Sequence, residues 1–207
     1  MTEYCAIIPD RGDRPEFTKH CLERLRSFNL PFDLAIVHVD YPPFDKQFDL
    51  IKRVKTGIER AKHWGFKKAF IVENDDWYPE SYFQPFDHDF IGYQDTIYYH
   101  IKNKSWEKTT HPKHSSLFTT AFKISALDGF KWPRPDTVFL DIELWKHAMN
   151  RDYKLMKDNP CIGIKHGIGL CGGMGHRQNF PFKDYEMKWL ESKVDSDSLE
   201  LYKRLGK

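Results

Sequence analysis

Three carboxylates are crowded into one short segment of the sequence, directly after a stretch with the character of a buried strand. The apolar residues 69–72 lead into Glu73, Asp75 and Asp76, with Asn74 between them. Acidic side chains this close repel one another unless a cation lies among them, and Mg²⁺ and Mn²⁺ prefer oxygen ligands that they often share with substrate phosphates. The segment therefore predicts a divalent-cation site. A plain turn is the other interpretation, because Asp and Asn favour turns and helix N-caps.

A second pair of acids, Asp141 and Glu143, opens a segment whose apolar residues have helical spacing over 139–149. A carboxylate at a helix start can act as a general base that takes the proton of a hydroxyl group. The two acids are two positions apart, so within a helix they point in different directions. Asp141 is equally suited to cap the helix that follows, and both roles stay open on the residues alone.

Short apolar strands alternate with helices in the first part of the chain. Ligands of open α/β sheets bind just beyond the carboxyl ends of strands, which is where the three acids fall. This alternation predicts βαβ units and a mostly parallel sheet covered by helices on both faces. The predicted strands are 4–8, 34–39 and 69–72, and the predicted helices are 17–28 and 48–64.

The second half of the chain has a less regular pattern. Residues 90–93 and 96–100 are predicted to be strands around a short turn, and residues 117–124 a further strand. We expect such pairs to add antiparallel strands at a sheet edge. An amphipathic pattern over 184–205 predicts one or two terminal helices. Because no Gly- or Ser-rich linker divides the sequence, we expect one α/β domain over 1–207.

The composition is that of an ordinary globular protein. The chain has 207 residues with 32 Lys plus Arg against 30 Asp plus Glu, and the net charge of +2 gives no strong general attraction to nucleic acid or to anionic membranes. Its four cysteines do not form a disulfide framework pattern, so we expect a reducing, cytoplasmic setting. The longest apolar run is far below the roughly 20 residues of a membrane helix, so no membrane span is expected.

The acidic segment resembles the DxD region of GT-A nucleotide-sugar glycosyltransferases of the family 2-like kind. The strand-acid-x-acid arrangement of residues 73–75 carries the resemblance, together with Asp76 and the aromatic residues after it. The order of elements agrees, since one strand ends in Pro9-Asp10 and the next in Asp40 before a long helix. Downstream, residues 125–130 and 139–145 resemble the acceptor side of that family. The pattern covers about three quarters of the chain.

This resemblance implies a single-domain GT-A fold and a metal-dependent, inverting transfer of a sugar from a nucleoside-diphosphate sugar to a hydroxyl acceptor. A UDP-sugar is the expected donor and Mn²⁺ or Mg²⁺ the expected cation. Residues 1–85 would form the nucleotide-sugar-binding half and 86–180 the acceptor half, followed by the terminal helical segment 184–205. The acceptor class stays open among a glycan, a protein, a small molecule and a hydroxymethylated base in DNA, as does the oligomeric state.

The resemblance also implies roles for individual residues. Asp75 is the foremost metal ligand, with Glu73 beside it and with His166, or in its place His176, completing the site. Asp141 is the expected base and Glu143 its alternative. The residues implied to contact the nucleotide or its phosphates are Pro9, Asp10, Arg11, Arg14, Asp40, Asn74 and Asp76. For the two arginines, surface ion pairs with neighbouring acids are the competing interpretation.

Two other function classes fit parts of the sequence. Clustered carboxylates with Mg²⁺ also serve nucleotidyltransferases and nucleases, although the loop over residues 9–14 has only one of the glycines expected of a sugar-activating nucleotidyltransferase. A binding module that keeps the fold without turnover is the third possibility. A zinc site among Cys161, His166, Cys171 and His176 is disfavoured because the segment lacks the close ligand pair of structural zinc sites.

Overall fold

Two β-sheets and five helices make up the part of the chain that the structure, a computed structural model, describes: residues 2–40, 49–167 and 180–207. The strands are β1 (Tyr4–Pro9), β2 (Leu34–Val39), β3 (Lys68–Ile71), β4 (Phe90–Tyr93), β5 (Asp95–His100), β6 (Ser105–Thr110), β7 (Ala121–Lys123), β8 (Tyr153–Met156), β9 (Ile162–Lys165) and β10 (Phe182–Lys183). The helices are α1 (Pro15–Ser27), α2 (Leu50–His63), α3 (Leu140–Ala148), α4 (Lys188–Glu191) and α5 (Ser196–Leu205).

The main sheet has the strand order β2–β1–β3–β7–β4–β8. Strands β2 and β3 both pair with β1 in parallel, whereas β7 is antiparallel to both β3 and β4, and β8 is parallel to β4. The carboxyl ends of β1, β2 and β3 therefore meet at one edge of the sheet. The second sheet has the order β10–β6–β5–β9, in which β5 and β9 are parallel and the other pairs antiparallel.

Helices cover both faces of the main sheet, as the alternation of elements predicts. On one face α2 and α3 bury apolar side chains such as Val54 and Leu144 against the strands, and on the other α1 buries Cys21 and Leu25. Helix α2 approaches β1 closely at Gly57, where a Cβ atom would lie 2.3 Å from Cγ2 of Ile7. The predicted mostly parallel α/β fold is confirmed.

The predicted pairing of residues 90–93 with 96–100 is wrong. Both segments are strands, but β4 belongs to the main sheet and β5 to the second sheet, so the chain passes between sheets at Gln94 instead of closing a hairpin. The antiparallel strand β7 lies inside the main sheet, and its edge strand β8 runs parallel to β4. The turn between β4 and β5 is too local a signal to reveal which sheet each strand joins.

Smaller differences concern the length and number of elements. The predicted strand 117–124 is a 3₁₀ turn at Leu117–Thr119 followed by the short β7, and the sequence pattern did not indicate β6 or β8. The predicted terminal segment 184–205 contains two helices, α4 and α5. Within the described ranges, the helices fall short of the length and apolar character that a membrane crossing requires.

Candidate functional site

The loop that carries the three acids links the two sheets. Its first residue after β3, Val72, continues the main sheet by donating its N–H to the carbonyl of Ile7 at 3.0 Å. At its other end Trp77 and Ile162 exchange two backbone hydrogen bonds of 2.9 and 3.0 Å, so the loop also pairs with the start of β9. The loop is fixed at both ends and lies at the seam between the sheets. This brings residues 73–76 against the end of β9.

Asp75 lies at the centre of the cluster. Its Oδ2 atom accepts a hydrogen bond from Nη1 of Arg14 and lies 2.8 Å from Nε2 of His166, which is 91 residues away in sequence. Burial opposes ionisation of Asp75, but the positive charge of Arg14 and the hydrogen bond with His166 outweigh burial and hold the pKa of Asp75 well below its usual range. Asp75 is therefore a carboxylate.

Asp76 and Glu73 are the other two acidic residues of the cluster. The backbone N–H of Ile164 donates to Oδ1 of Asp76 at 2.7 Å. Burial and the charge of Asp75 raise the pKa of Asp76 well above its ordinary value and raise the pKa of Glu73 to about 7, while the buried ammonium of Lys165 opposes both shifts. Such mutual repulsion is what a cation placed among the three acids would relieve.

The donor set fits a divalent cation of the hard, oxygen-preferring class. One carboxylate oxygen each of Glu73, Asp75 and Asp76 lie within 4.8 Å of one another. The Oδ1 atom of Asp75 and the Oδ2 atom of Asp76 are buried and have no hydrogen-bond partner among the residues that the structure describes. A buried, unpartnered carboxylate oxygen is costly, and metal coordination is one way to satisfy it.

Asp10 organises the carboxyl ends of three strands. Its Oδ2 atom lies 2.9 Å from Nε2 of His38 on β2, and its Oδ1 atom accepts from Nδ2 of Asn74 at 3.0 Å. The N–H of Gly12 also donates to Oδ1 at 2.8 Å, from a turn in which Gly12 has a φ of 76°, a conformation that glycine adopts readily. With these partners Asp10 acts as a scaffold for the loop, and Pro9 is buried beside it in β1.

The other residues that the resemblance directs to the nucleotide are spread more widely. Arg14 joins the acidic cluster, whereas Nε of Arg11 lies 3.6 Å from Asp13 and 3.8 Å from Asp49. Asp40, at the end of β2, is 67% exposed, and its Oδ2 atom lies 4.0 Å from Nδ1 of His38. The structure thus brings Asp10, Arg14, Asn74 and Asp76 together with the predicted metal ligands and leaves Asp40 at the surface. His176 and Cys171 lie outside the described residues.

The two candidate bases differ in their surroundings. Asp141 lies in the first turn of α3, is partly buried, and is close enough to Glu73 that its charge contributes to the raised pKa of Glu73. Burial raises the pKa of Asp141 itself, against the hydrogen bonds from the backbone at the helix start. Glu143 instead pairs with Lys146 at 2.7 Å on the helix surface. Asp141 thus lies within electrostatic range of Glu73, whereas Glu143 is paired with Lys146.

Sequence reasoning missed the contacts that hold the far end of the loop. Asp195 caps α5 by accepting from the N–H of Ser198 at 2.9 Å, and its Oδ2 atom also accepts from Nε1 of Trp77 at 3.0 Å and from Arg24. Arg24 in turn donates from Nη2 to the carbonyl of Tyr78 at 2.8 Å. The sequence has no local signal for this network, because its members come from α1, the loop and α5.

We expect Asp195→Ala to destabilise the protein by about 0.5–2 kcal/mol through the lost helix cap, and to leave Arg24 and the indole N–H of Trp77 without their shared acceptor. Denaturant unfolding measures the first effect. Asp197→Ala is the matched control, because Asp197 lies exposed in the first turn of the same helix. Equal unfolding free energies for the two variants would contradict the role given to Asp195.

Solved structures of glycosyltransferases share this fold. S. aureus TarS 1–349 in complex with UDP-GlcNAc aligns with a TM-score of 0.60 at 10% identity, over 100% of this chain and 71% of that one. The same fragment in complex with UDP aligns with a TM-score of 0.54 at 10% identity, over 79% of this chain. The catalytic domain of Drosophila beta1,4galactosyltransferase 7 in complex with xylobiose aligns with a TM-score of 0.50 at 12% identity, over 95% and 82%. The chain thus has a GT-A fold.

The likeness is one of fold and not of close sequence. No family model matches the chain, and no curated protein matches it in sequence. The alignment spans 60% of the length of the UDP-bound TarS fragment.

Proposed function

We propose that this protein is a metal-dependent, inverting glycosyltransferase that moves a hexosyl or pentosyl group from a nucleoside-diphosphate sugar to a hydroxyl acceptor. One observation carries the proposal: in a GT-A fold, three carboxylates at the carboxyl end of β3 converge at the seam of the two sheets. Two of their buried oxygens lack a partner within the described ranges. Carboxylates so arranged suit a cation that binds a diphosphate.

Glu73, Asp75 and Asp76 would hold the cation, Mn²⁺ or Mg²⁺, with His166 in contact with Asp75. When bound, such a cation stabilises the negative charge that develops on the departing diphosphate. His166 already lies 2.8 Å from the Oδ2 atom of Asp75, so its ring helps to orient that carboxylate. Lys165, buried beside the acids, supplies a fixed positive charge next to them.

Asp141 would act as the general base. Its carboxylate takes the proton of the acceptor hydroxyl, the acceptor oxygen forms a bond to the anomeric carbon, and the bond from that carbon to the diphosphate oxygen breaks with its electron pair leaving on the diphosphate. Attack from the face opposite the leaving group inverts the anomeric configuration. The position of Asp141 at the start of α3, near Glu73, supports this role.

A UDP-sugar is the donor we favour, because neighbours in fold were solved with UDP and with UDP-GlcNAc. The acceptor belongs to one of the classes already named, a glycan, a protein, a small molecule or a hydroxymethylated base in DNA. We place the protein in the cytoplasm, a reducing compartment in which the buried thiols of Cys5, Cys21 and Cys161 stay free.

The thermal stability of the protein with UDP, GDP, CDP or ADP, each with Mn²⁺, Mg²⁺ or EDTA, tests the donor site. A ligand at a hundredfold excess over its dissociation constant stabilises the native state by about 2.7 kcal/mol, which in a chain of this size raises the midpoint by about 5–10 °C. We expect this shift for one nucleotide and only with a divalent cation.

Release of the nucleoside diphosphate from the matching sugar donor separates an enzyme from a binding module. Metal-dependent release supports the transferase, and binding without release supports the module. The absence of a metal-dependent shift with all four nucleotides would contradict the proposed function.

A further inference from the structure

One side chain, Arg14, already occupies part of the candidate cation site. Its Nη1 atom donates to the Oδ2 atom of Asp75, which also contacts His166. The Oδ1 atom of the same carboxylate is buried, and the described part of the chain offers it no partner. Both of the contacts described for the Asp75 carboxylate thus fall on its Oδ2 atom. Arg14 neutralises Asp75 where a divalent cation would do so.

The two permanent cations of the cluster are held differently. Lys165 extends from the buried strand β9, and its Nζ atom lies 4.6 Å from the ring centre of Tyr98. Arg14 precedes α1 at the end of the β1–α1 loop, with 13% of its side chain exposed and its Nε atom 3.3 Å from the partly exposed Asp13. Arg14 thus lies between the buried Asp75 and the protein surface, and Asp13 is a second carboxylate within its reach.

A guanidinium and a divalent cation on the same carboxylate oppose each other electrostatically, even when each contacts a different oxygen. Two positive charges on one carboxylate repel each other strongly in a site screened from water. The planar guanidinium also matches a phosphate group, to which it can donate two parallel hydrogen bonds. A bound diphosphate therefore offers Arg14 an alternative partner of higher negative charge than Asp75.

We propose that Arg14 is a built-in counter-ion that competes with the divalent cation for Asp75 and transfers to the donor's diphosphate when donor and cation bind together. The inference rests on the proposed function and specifies how that site is regulated. Cation and nucleotide then bind with positive coupling, because each removes an obstacle to the other, and the coupling is reciprocal. The cation alone binds weakly, since it must bind against the positive charge of Arg14.

Binding of Mn²⁺, followed by electron paramagnetic resonance with and without UDP, tests this exchange in the full chain. Without nucleotide, Arg14→Gln is expected to bind Mn²⁺ about tenfold more tightly than the unmodified protein, because the competing charge is gone. The gain in Mn²⁺ affinity on adding UDP is expected to shrink about tenfold in the same variant. Arg26→Gln, on the exposed side of α1, is the matched control and should leave both values unchanged.

The results separate a failure of the counter-ion role of Arg14 from a failure of the proposed function. Mn²⁺ binding that Arg14→Gln weakens or leaves unchanged overturns the counter-ion role alone. An unmodified protein that binds no Mn²⁺ with or without UDP overturns both. If Arg14→Gln does not fold, Arg14→Lys serves instead: it keeps the charge but not the bidentate fork, so UDP should raise its Mn²⁺ affinity less than in the unmodified protein, and an equal gain overturns the proposal.

Discussion

Asp75→Asn is expected to abolish metal-dependent nucleotide binding. The neutral amide cannot replace a carboxylate between a divalent cation and His166, so the stabilisation of about 2.7 kcal/mol expected from saturating nucleotide and Mn²⁺ should vanish. Thermal unfolding with and without ligands measures this loss. Asp33→Asn, at an exposed aspartate, is the control and should keep the full shift.

The same substitution also affects the unliganded protein, because it removes the buried charged partner of Arg14 and leaves the guanidinium with the partly exposed Asp13 at 3.3 Å. Breaking a buried ion pair from one side costs about 3–5 kcal/mol. Adding Arg14→Gln to Asp75→Asn removes the stranded charge, so the double variant should recover stability but not nucleotide binding. Recovery of metal-dependent binding in the double variant would contradict the role of Asp75 as a ligand.

Asp141→Asn is expected to lower the turnover of donor by about 10²–10⁴-fold while leaving the nucleotide-induced stabilisation intact, because only proton removal from the acceptor is lost. Glu143→Gln is the matched control, since Glu143 pairs with Lys146 at the surface. Release of nucleoside diphosphate from the sugar donor is the measurement. A large loss of turnover in Glu143→Gln with none in Asp141→Asn would show that Glu143, and not Asp141, is the base.

The pH dependence of the same reaction has a defined sign. A base works only when it is ionised, and burial raises the pKa of Asp141 above the ordinary value of about 3.9. Activity should therefore fall as the pH is lowered. The midpoint of this fall should lie at a higher pH than it would if the base were an exposed aspartate. In Asp141→Asn the residual rate should lack this acidic limb.

The sequence predicted the parts of the site that depend on local order. Asp75 and Asp76 follow a strand whose apolar run is unmistakable, and position after a strand places side chains at the sheet edge. His166 was expected near them only through the resemblance, and the structure brings it to 2.8 Å from Asp75. Whether it binds a metal stays a prediction.

The contacts and sheet assignments that the sequence did not predict depend on residues that are distant in the chain. Nothing near Asp10 in the sequence indicates that it bonds to His38 and Asn74. Strands β4 and β5 are both visible in the sequence, yet their assignment to different sheets depends on β7 and β9, which come later. Sequence periodicity describes which face of an element is buried but not which element covers it.

The hydrogen bonds between Trp77 and Ile162 have a consequence for how the chain folds. They join residues 85 positions apart, so the cluster gains His166 and Lys165 only after a long loop has closed, and contacts of such separation form slowly. A chain synthesised only as far as Glu143 would already hold every predicted carboxylate and Arg14, yet it would lack His166 and Lys165, which complete the cluster. Competence to bind nucleotide should therefore appear late in synthesis, as a single step.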